Sequence, residues 1–94
     1  MAKKVSAVFE ATLDKNNVKG GAWIAAIKTY DEGVEAHHHE LSAWANASAG
    51  KRWIKERVQA LTPKKSVKMI AGTTLDEKGK PVSFTGSVKY KREV

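Results

Sequence analysis

The sequence contains no cysteine, only two prolines and no long apolar run. Without cysteine, the chain can form neither a disulfide bond nor a thiolate zinc site. No apolar run approaches the roughly 20 residues that a membrane-spanning helix needs, and the first residues show no hydrophobic signal region. We therefore expect a cytoplasmic protein that does not associate with membranes.

Acidic residues are scarce in the second half of the chain. Residues 1–50 carry five lysines against six acids, a balance of −1, whereas residues 51–94 carry twelve Lys and Arg against four acids, a balance of +8. A charge asymmetry of this sign attracts polyanions, and nucleic acid is the commonest polyanion that a protein meets. The charge pattern therefore predicts nucleic acid as the partner.

Motifs for catalysis and for nucleotide binding are also lacking. There is no P-loop, no dinucleotide-binding glycine fingerprint and no nucleophile elbow in the sequence. With 94 residues and a hydrophobic fraction of 41%, the chain is long enough for one domain, residues 1–94, with a modest core. We expect a single domain that is not an enzyme and needs no cofactor.

Three strands are predicted in the first half. Residues 5–13 alternate between apolar and polar side chains, which is the period of a strand with one buried face. A second strand is expected over residues 22–30, after a pair of glycines, and a third from residue 34 towards residue 44. The turn Asp31-Glu32-Gly33 is expected to join the second and third strands.

A helix is predicted after these strands. Ile54, Val58 and Leu61 recur at helical spacing, Asn46 or Ser48 can cap the N-terminus, and Pro63 ends the pattern. Two more strands are expected over residues 66–71 and 82–90, with an exposed hairpin between them. The predicted fold is α+β with the order β-β-β-α-β-β, a mostly antiparallel sheet with one helix packed on a face.

The oligomeric state is left open by the sequence. The last strand is regular and contains no proline, so an uncovered edge could pair with a second copy of the chain. Lys89 and Lys91 on this strand would oppose such pairing.

One sequence feature points to a known fold. Glu10 lies late in the first strand, and Gly20, Gly21 and Trp23 follow about ten residues later at the entry to the second strand. Over roughly residues 4–73, this order of three antiparallel strands, a helix and a further strand resembles the opening of the ribonuclease H-like fold. The resemblance implies a site in which carboxylates from the first strand, the first helix and the fourth strand hold two metal ions.

The chain departs from this pattern at the positions of the metal-binding acids. Glu10 can fill the first acidic position, but Gly50 and Lys51 stand at the helix position, and Gly72 and Thr73 stand at the end of the fourth strand. Because two of the three positions lack an acid, we expect no nuclease activity of that type. A metal-dependent hydrolase that relies on Glu10 ranks last among the hypotheses.

The leading candidate site is the set of basic residues in the second half. Seven cations lie on or just after the helix, and three lie in the last strand beside serines and a threonine whose hydroxyls suit phosphate. The predicted phosphate-binding residues are Lys51, Arg52, Lys55, Arg57, Lys64, Lys65, Lys68, Lys89, Lys91 and Arg92. We expect them to form one continuous patch that binds single- or double-stranded nucleic acid with little base specificity.

The same charges allow other interpretations. A basic surface also binds an acidic protein, which makes a protein-interaction module, an adaptor or an inhibitor of the kind that phages and mobile elements encode, the alternative hypothesis. A solvated face that keeps the protein soluble is the remaining interpretation.

Histidine and tryptophan residues provide the other candidates. His37, His38 and His39 include a His-x-His spacing that can bind zinc, but histidines in a row are more often incidental, and we assign no metal. Trp23 and Trp53 are expected in the core. Trp44, beside polar residues, is the candidate for base stacking.

Overall fold

The computed structural model describes residues 3–15, 21–36, 38–72 and 75–93. Its elements, in chain order, are β1 (Lys4–Lys15), β2 (Trp23–Asp31), β3 (His38–Trp44), α1 (Ala47–Leu61), β4 (Ile70–Ala71) and β5 (Ser83–Glu93). The predicted α+β class and the predicted order β-β-β-α-β-β are confirmed.

The strands form one antiparallel sheet with the spatial order β3-β2-β1-β5-β4. The central strand β1 pairs along its length with both β2 and β5, so Phe9 lies opposite Thr29 on one side and Val88 on the other. Because successive side chains of a strand point to opposite faces, this register decides which residues of all five strands share a face.

The core lies on the face that α1 covers. The odd-numbered residues of β1 from Ala7 to Leu13 point to this face and pack, together with Ala25 and Ile27 of β2, against Ile54 and Val58. Phe9, Leu13, Ile54 and Val58 are the largest fully buried side chains. Burial of each contributes about 1.5–3 kcal/mol to the free energy of unfolding. The apolar side chains that alternate along β1 in the sequence are therefore the ones that the structure buries in the core.

Side chains outside the helix fix its two ends. The Asn46 side chain accepts a hydrogen bond from the Ala49 N–H at 2.8 Å, so Asn46 is the N-cap. At the other end, the Thr62 N–H and hydroxyl both donate to the Val58 carbonyl, at 3.0 and 2.7 Å, and Pro63 follows. Gly50 faces the sheet, where an added Cβ would lie 2.5 Å from Leu13 Cδ1. The absence of a side chain there lets the first turn of α1 approach β1 closely.

The opposite side of the sheet, which we call the open face, carries no helix or strand within the described ranges. α1 contacts β1, β2 and β3 only from the core side. By register, the open face carries the even-numbered residues of β1 and the odd-numbered residues of β5, among them Glu10, Thr12, Ser87, Lys89 and Lys91.

Two strand predictions were wrong in extent. The third strand begins at His38 rather than at residue 34, because Gly33 has a φ of 79° and Val34 N–H bonds back to the Asp31 carbonyl at 3.0 Å, which completes a turn. The strand predicted over residues 66–71 is reduced to Ile70–Ala71. Val67 and Met69 pack on the core instead, so this segment crosses β5 before it pairs with it.

The last hairpin has the predicted turn. Asp76 Oδ1 accepts hydrogen bonds from the N–H groups of Lys78 and Lys80, at 2.9 and 2.8 Å, and Gly79 adopts the left-handed φ of 79°. Both lysine residues are exposed.

The outer edge of β5 is covered only in part. β4 pairs with Phe84 and Thr85, and no strand of the described chain pairs with the outer edge from Gly86 onwards. Dimerisation through this edge stays a prediction.

Gly86→Ala should destabilise the fold because the segment before β4 lies directly on this residue. An added Cβ would clash with the Lys68 carbonyl oxygen and lie 3.0 Å from Met69 Sδ. Since a backbone atom cannot rotate away, we expect a decrease of about 1–3 kcal/mol in the free energy of unfolding, measured by urea denaturation.

Gly50→Ala is the matched control for this substitution. Its Cβ would meet side-chain carbons of the buried Leu13 and no backbone atom, and alanine favours a helix over glycine by about 1 kcal/mol, so the decrease should be smaller. Equal decreases in the two variants would contradict the close passage of residues 68 and 69 over β5.

Candidate nucleic-acid interface

Three of the candidate cations lie on the outer side of α1. Gly50, Ile54 and Val58 face the sheet, so Lys51, Arg52 and Lys55 project into solvent, and all three are exposed. Lys51 Nζ also lies 3.9 Å from the centre of the Phe84 ring, a cation–π contact that places Lys51 on the side of the helix nearest β5.

The segment after the helix adds two more exposed cations, and its backbone is tied to the end of α1. Gln59 Nε2 donates a hydrogen bond to the Lys65 carbonyl at 2.8 Å, and Lys64 N–H donates to Thr62 Oγ1 at 3.0 Å. Gln59 lies one helical turn after Lys55, so Lys65 is held close to the row of cations on α1.

We call this set the helix-side basic surface: Lys51, Arg52, Lys55, Lys64 and Lys65. Within the part of the chain that the structure describes, none of the five forms an ion pair. Glu56 is the one acidic residue between positions 47 and 65. The helix layer therefore holds five uncompensated positive charges against one negative charge.

Arg57 also lies on α1 but does not belong to the helix-side basic surface. It lies on the side of α1 that faces β3, where its Nη2 and Nε both lie 2.7 Å from Glu40 Oε2. His38 Nε2 lies 3.0 Å from the same oxygen. The hydrogen bond with His38 lowers the pKa of the Glu40 carboxyl, and Arg57 lowers it further, while burial opposes the shift. This cluster ties α1 to the edge strand.

Lys89 and Lys91 lie on the open face, on the opposite side of the sheet from the helix-side basic surface. Lys89 Nζ forms an exposed ion pair with Glu32 Oε1 at 3.2 Å, and Lys91 Nζ donates a hydrogen bond to Ser6 Oγ. The expected single patch is thus divided by the sheet, because odd-numbered residues of β5 point away from α1.

Arg92 shares the face of α1 but lies far along the sheet. Its Nε and Nη2 donate to the two carboxylate oxygens of Asp31, at 2.7 and 2.5 Å. Arg92 lies eight positions after Phe84 along the extended strand, a distance of about 27 Å. Arg92 is therefore both neutralised and distant from the helix-side basic surface.

Lys68 occupies the edge between the two sides. Together with Ile70 it lines a shallow depression on the open face, whose floor includes Glu10, Thr12 and Ser87. The structure therefore places Lys68 with the open face and not with the cations of α1.

Sequence reasoning did not find the polar cluster at the centre of the open face. Glu10 accepts a hydrogen bond from the Tyr30 hydroxyl, and its Oε2 forms an ion pair with Lys28 Nζ at 3.2 Å. The bond from Tyr30 lowers the pKa of the Glu10 carboxyl, and Lys28 adds to this effect. His39 lies opposite Lys28 at a depression of about 240 Å³. The period-two alternation already placed Glu10 on this face, but its partners depend on the pairing of β1 with β2.

The adjacent histidines point in opposite directions. His38 lies on the core side and contacts Glu40, whereas His39 lies on the open face. His37 lies outside the described residues, so the predicted His-x-His pair stays untested. In the described ranges, no group of three or more His, Asp or Glu side chains is placed to hold a metal ion.

The three tryptophans all lie at the rim of the core and are half-buried. The rings of Trp44 and Trp53 are 6.4 Å apart, and those of Trp23 and Phe84 are 5.8 Å apart. Trp44 Nε1 is buried and has no hydrogen-bond partner in the described part of the protein. Trp44 is therefore less accessible than we expected from the polar residues beside it in the sequence.

The positions that carry the resemblance to the ribonuclease H-like fold do not converge. Glu10 points to the open face, whereas Gly50 and Lys51 lie in the helix on the other face. Gly72 donates a backbone hydrogen bond to the Ser83 carbonyl beside β5. Gly20 and Thr73 lie outside the described residues, and the resemblance itself stays a prediction.

Comparison with known protein families, with curated proteins and with solved structures gives no significant match. No helix among the described residues is long and apolar enough to cross a membrane.

Glu40→Gln should weaken the fold at neutral pH and not at low pH. Because the folded-state pKa of Glu40 lies below its ordinary value of 4.5, its carboxylate stabilises the fold above that pH, and this contribution is lost as the pH falls through the folded-state pKa. We expect a destabilisation of up to about 1 kcal/mol at pH near 7, and almost none at pH near 3, by urea denaturation.

Glu35→Gln is the control for this experiment, because Glu35 is exposed and forms no ion pair with the described residues. A destabilisation by Glu40→Gln that is equal at both pH values would show that the carboxylate charge does not hold α1 to β3.

Proposed function

We propose that this protein is a non-enzymatic, cytoplasmic module that binds the phosphate backbone of nucleic acid through the helix-side basic surface. The observation that carries the proposal is the gathering of five cations, unpaired within the described chain, against the single acid Glu56 on one side of the molecule. Lys51, Arg52 and Lys55 lie within two turns of one helix, so they can contact successive phosphates together.

The chemistry of this surface favours contacts with the backbone over contacts with bases. Four of its five cations are lysines, whose flexible ammonium groups act as point charges and do not read base edges in fixed geometry. Each phosphate that they neutralise releases condensed counterions, so affinity should fall steeply as salt rises. Sequence preference should be small.

The open face contributes less in this proposal. Lys89 pairs with Glu32, Lys28 pairs with Glu10, and Lys91 bonds to Ser6. Although these contacts are partly exposed and individually weak, each must be exchanged before the lysine can meet a phosphate. In the described chain, the helix-side basic surface has no ion pair to exchange, and its Lys51 has only the contact with the Phe84 ring.

Three double variants with equal charge change test the location of the site. We expect Lys51→Gln with Lys55→Gln to weaken oligonucleotide binding about tenfold or more and to reduce the slope of log affinity against log salt by about one for each phosphate that is no longer neutralised. Lys78→Gln with Lys80→Gln, in the exposed hairpin, should have little effect. Lys89→Gln with Lys91→Gln should fall between them. Fluorescence anisotropy at several salt concentrations measures all three.

Binding that is absent, or equally weakened by all three pairs, would overturn the proposal. Thermal unfolding of each variant controls for removal of the cation–π interaction between Lys51 and Phe84, which is worth about 0.5–1 kcal/mol. If the protein instead retains an acidic protein from nuclease-treated lysate through Lys51 and Lys55, the alternative hypothesis of a protein-interaction module replaces it.

A further inference from the structure

Four aromatic side chains crowd one end of the sheet, on the face that α1 covers. Trp44 and Trp23 lie opposite each other in the last row of β3 and β2, and Trp53 extends from α1 over Trp44. Phe84 of β5 lies beside Trp23 with ring centres 5.8 Å apart. We call Trp23, Trp44, Trp53 and Phe84 the aromatic end.

The aromatic end closes the core but does not lie within it. All four rings are half-buried, whereas Phe9 and Leu13 in the middle of the core are fully buried together with small side chains such as Ala11. The three tryptophans are therefore placed where they still reach solvent. Aromatic rings at such a border expose part of their surface, where a planar ligand can contact them.

Cations lie at both sides of the aromatic end. Lys51 Nζ sits over the Phe84 ring at 3.9 Å, and Lys15 lies opposite Trp23 in the register of β1 and β2, exposed and on the same face. The first turn of α1, which starts at this end, contains no acidic residue. A ligand that contacts the rings is therefore within reach of the helix-side basic surface.

Resting on the proposed function, we infer that the nucleic acid is single-stranded and that its bases stack at the aromatic end, on Trp23 and, once Lys51 moves from the ring to a phosphate, on Phe84, while its phosphates contact Lys51 and the cations that follow it. Only unpaired bases can present their planes to protein rings, because the bases of a duplex are already stacked on one another. Trp44, whose indole N–H is buried, packs against Trp53 and lies opposite Trp23 in the register of β2 and β3.

The two groups of contacts have different roles. Stacking accepts any base, so it raises affinity for single strands without adding sequence preference. The cations bind any phosphate backbone. A ligand that has phosphates but no bases separates the two contributions.

Titration with three probes of the same length tests the inference: a single-stranded oligothymidylate, an abasic single strand and a duplex. We expect the oligothymidylate to bind about tenfold tighter than the other two at equal salt, with quenching of tryptophan fluorescence that the abasic strand does not produce. Equal affinity for the oligothymidylate and the abasic strand would overturn the inference and leave the proposed phosphate binding intact. Absence of binding to all three probes would overturn both.

Paired substitutions locate the stacking site. Phe84→Leu and Trp23→Leu should each reduce affinity for oligothymidylate about fivefold or more and leave affinity for the abasic strand unchanged. Phe84→Tyr and Trp23→Tyr, which keep a ring, should retain most of the preference. Thermal unfolding shows whether each variant is folded, and the abasic strand provides the binding control. Unchanged discrimination in both leucine variants would contradict stacking at these rings.

Discussion

The antiparallel register of β1 between β2 and β5 is the constraint on which the rest of the structure depends. It sends the odd-numbered side chains of β1 toward α1 and the even-numbered ones to the open face. A shift of one residue would bury Glu10 and expose Phe9, which would cost several kcal/mol through the desolvated carboxylate and the exposed apolar surface. The same register decides that the lysines of β5 and those of α1 lie on opposite sides.

Ion pairing, as well as position in the sequence, therefore decides which basic residues remain available to a ligand. Arg57 and Arg92 are held by Glu40 and Asp31, and Lys89 is exposed but paired, whereas the cations of the helix-side basic surface form no ion pair within the described ranges. The ionic contacts have a structural role at the edges, where they join α1 to β3 and the end of β5 to β2. Lys51, the first of the unpaired cations, lies beside the aromatic end, so one region of the surface combines positive charge with half-buried rings.

Much of the fold was predictable because local patterns and tertiary packing agree. The alternation of β1 and β5, the helical spacing of Ile54 and Val58, and the capping by Asn46 all appear in the structure. The short β4 was not predictable, because residues 66–69 alternate like a strand and yet cross over Gly86. The separation of the basic residues onto two faces could have been predicted from the sequence, since Lys89 and Lys91 alternate with apolar side chains that point to the core face. The ion pairs of Arg57 and Arg92 could not, since they join residues far apart in the chain.

Backbone amide and indole N–H chemical shifts during titration with oligothymidylate test most directly whether ligand binds on the α1 side of the sheet. We expect the largest changes at residues 51–55 and 64–65 and at the indole of Trp23, with small changes at Ser87, Lys89 and Lys91. Changes concentrated on the open face, with α1 unaffected, would contradict a binding surface built on the helix.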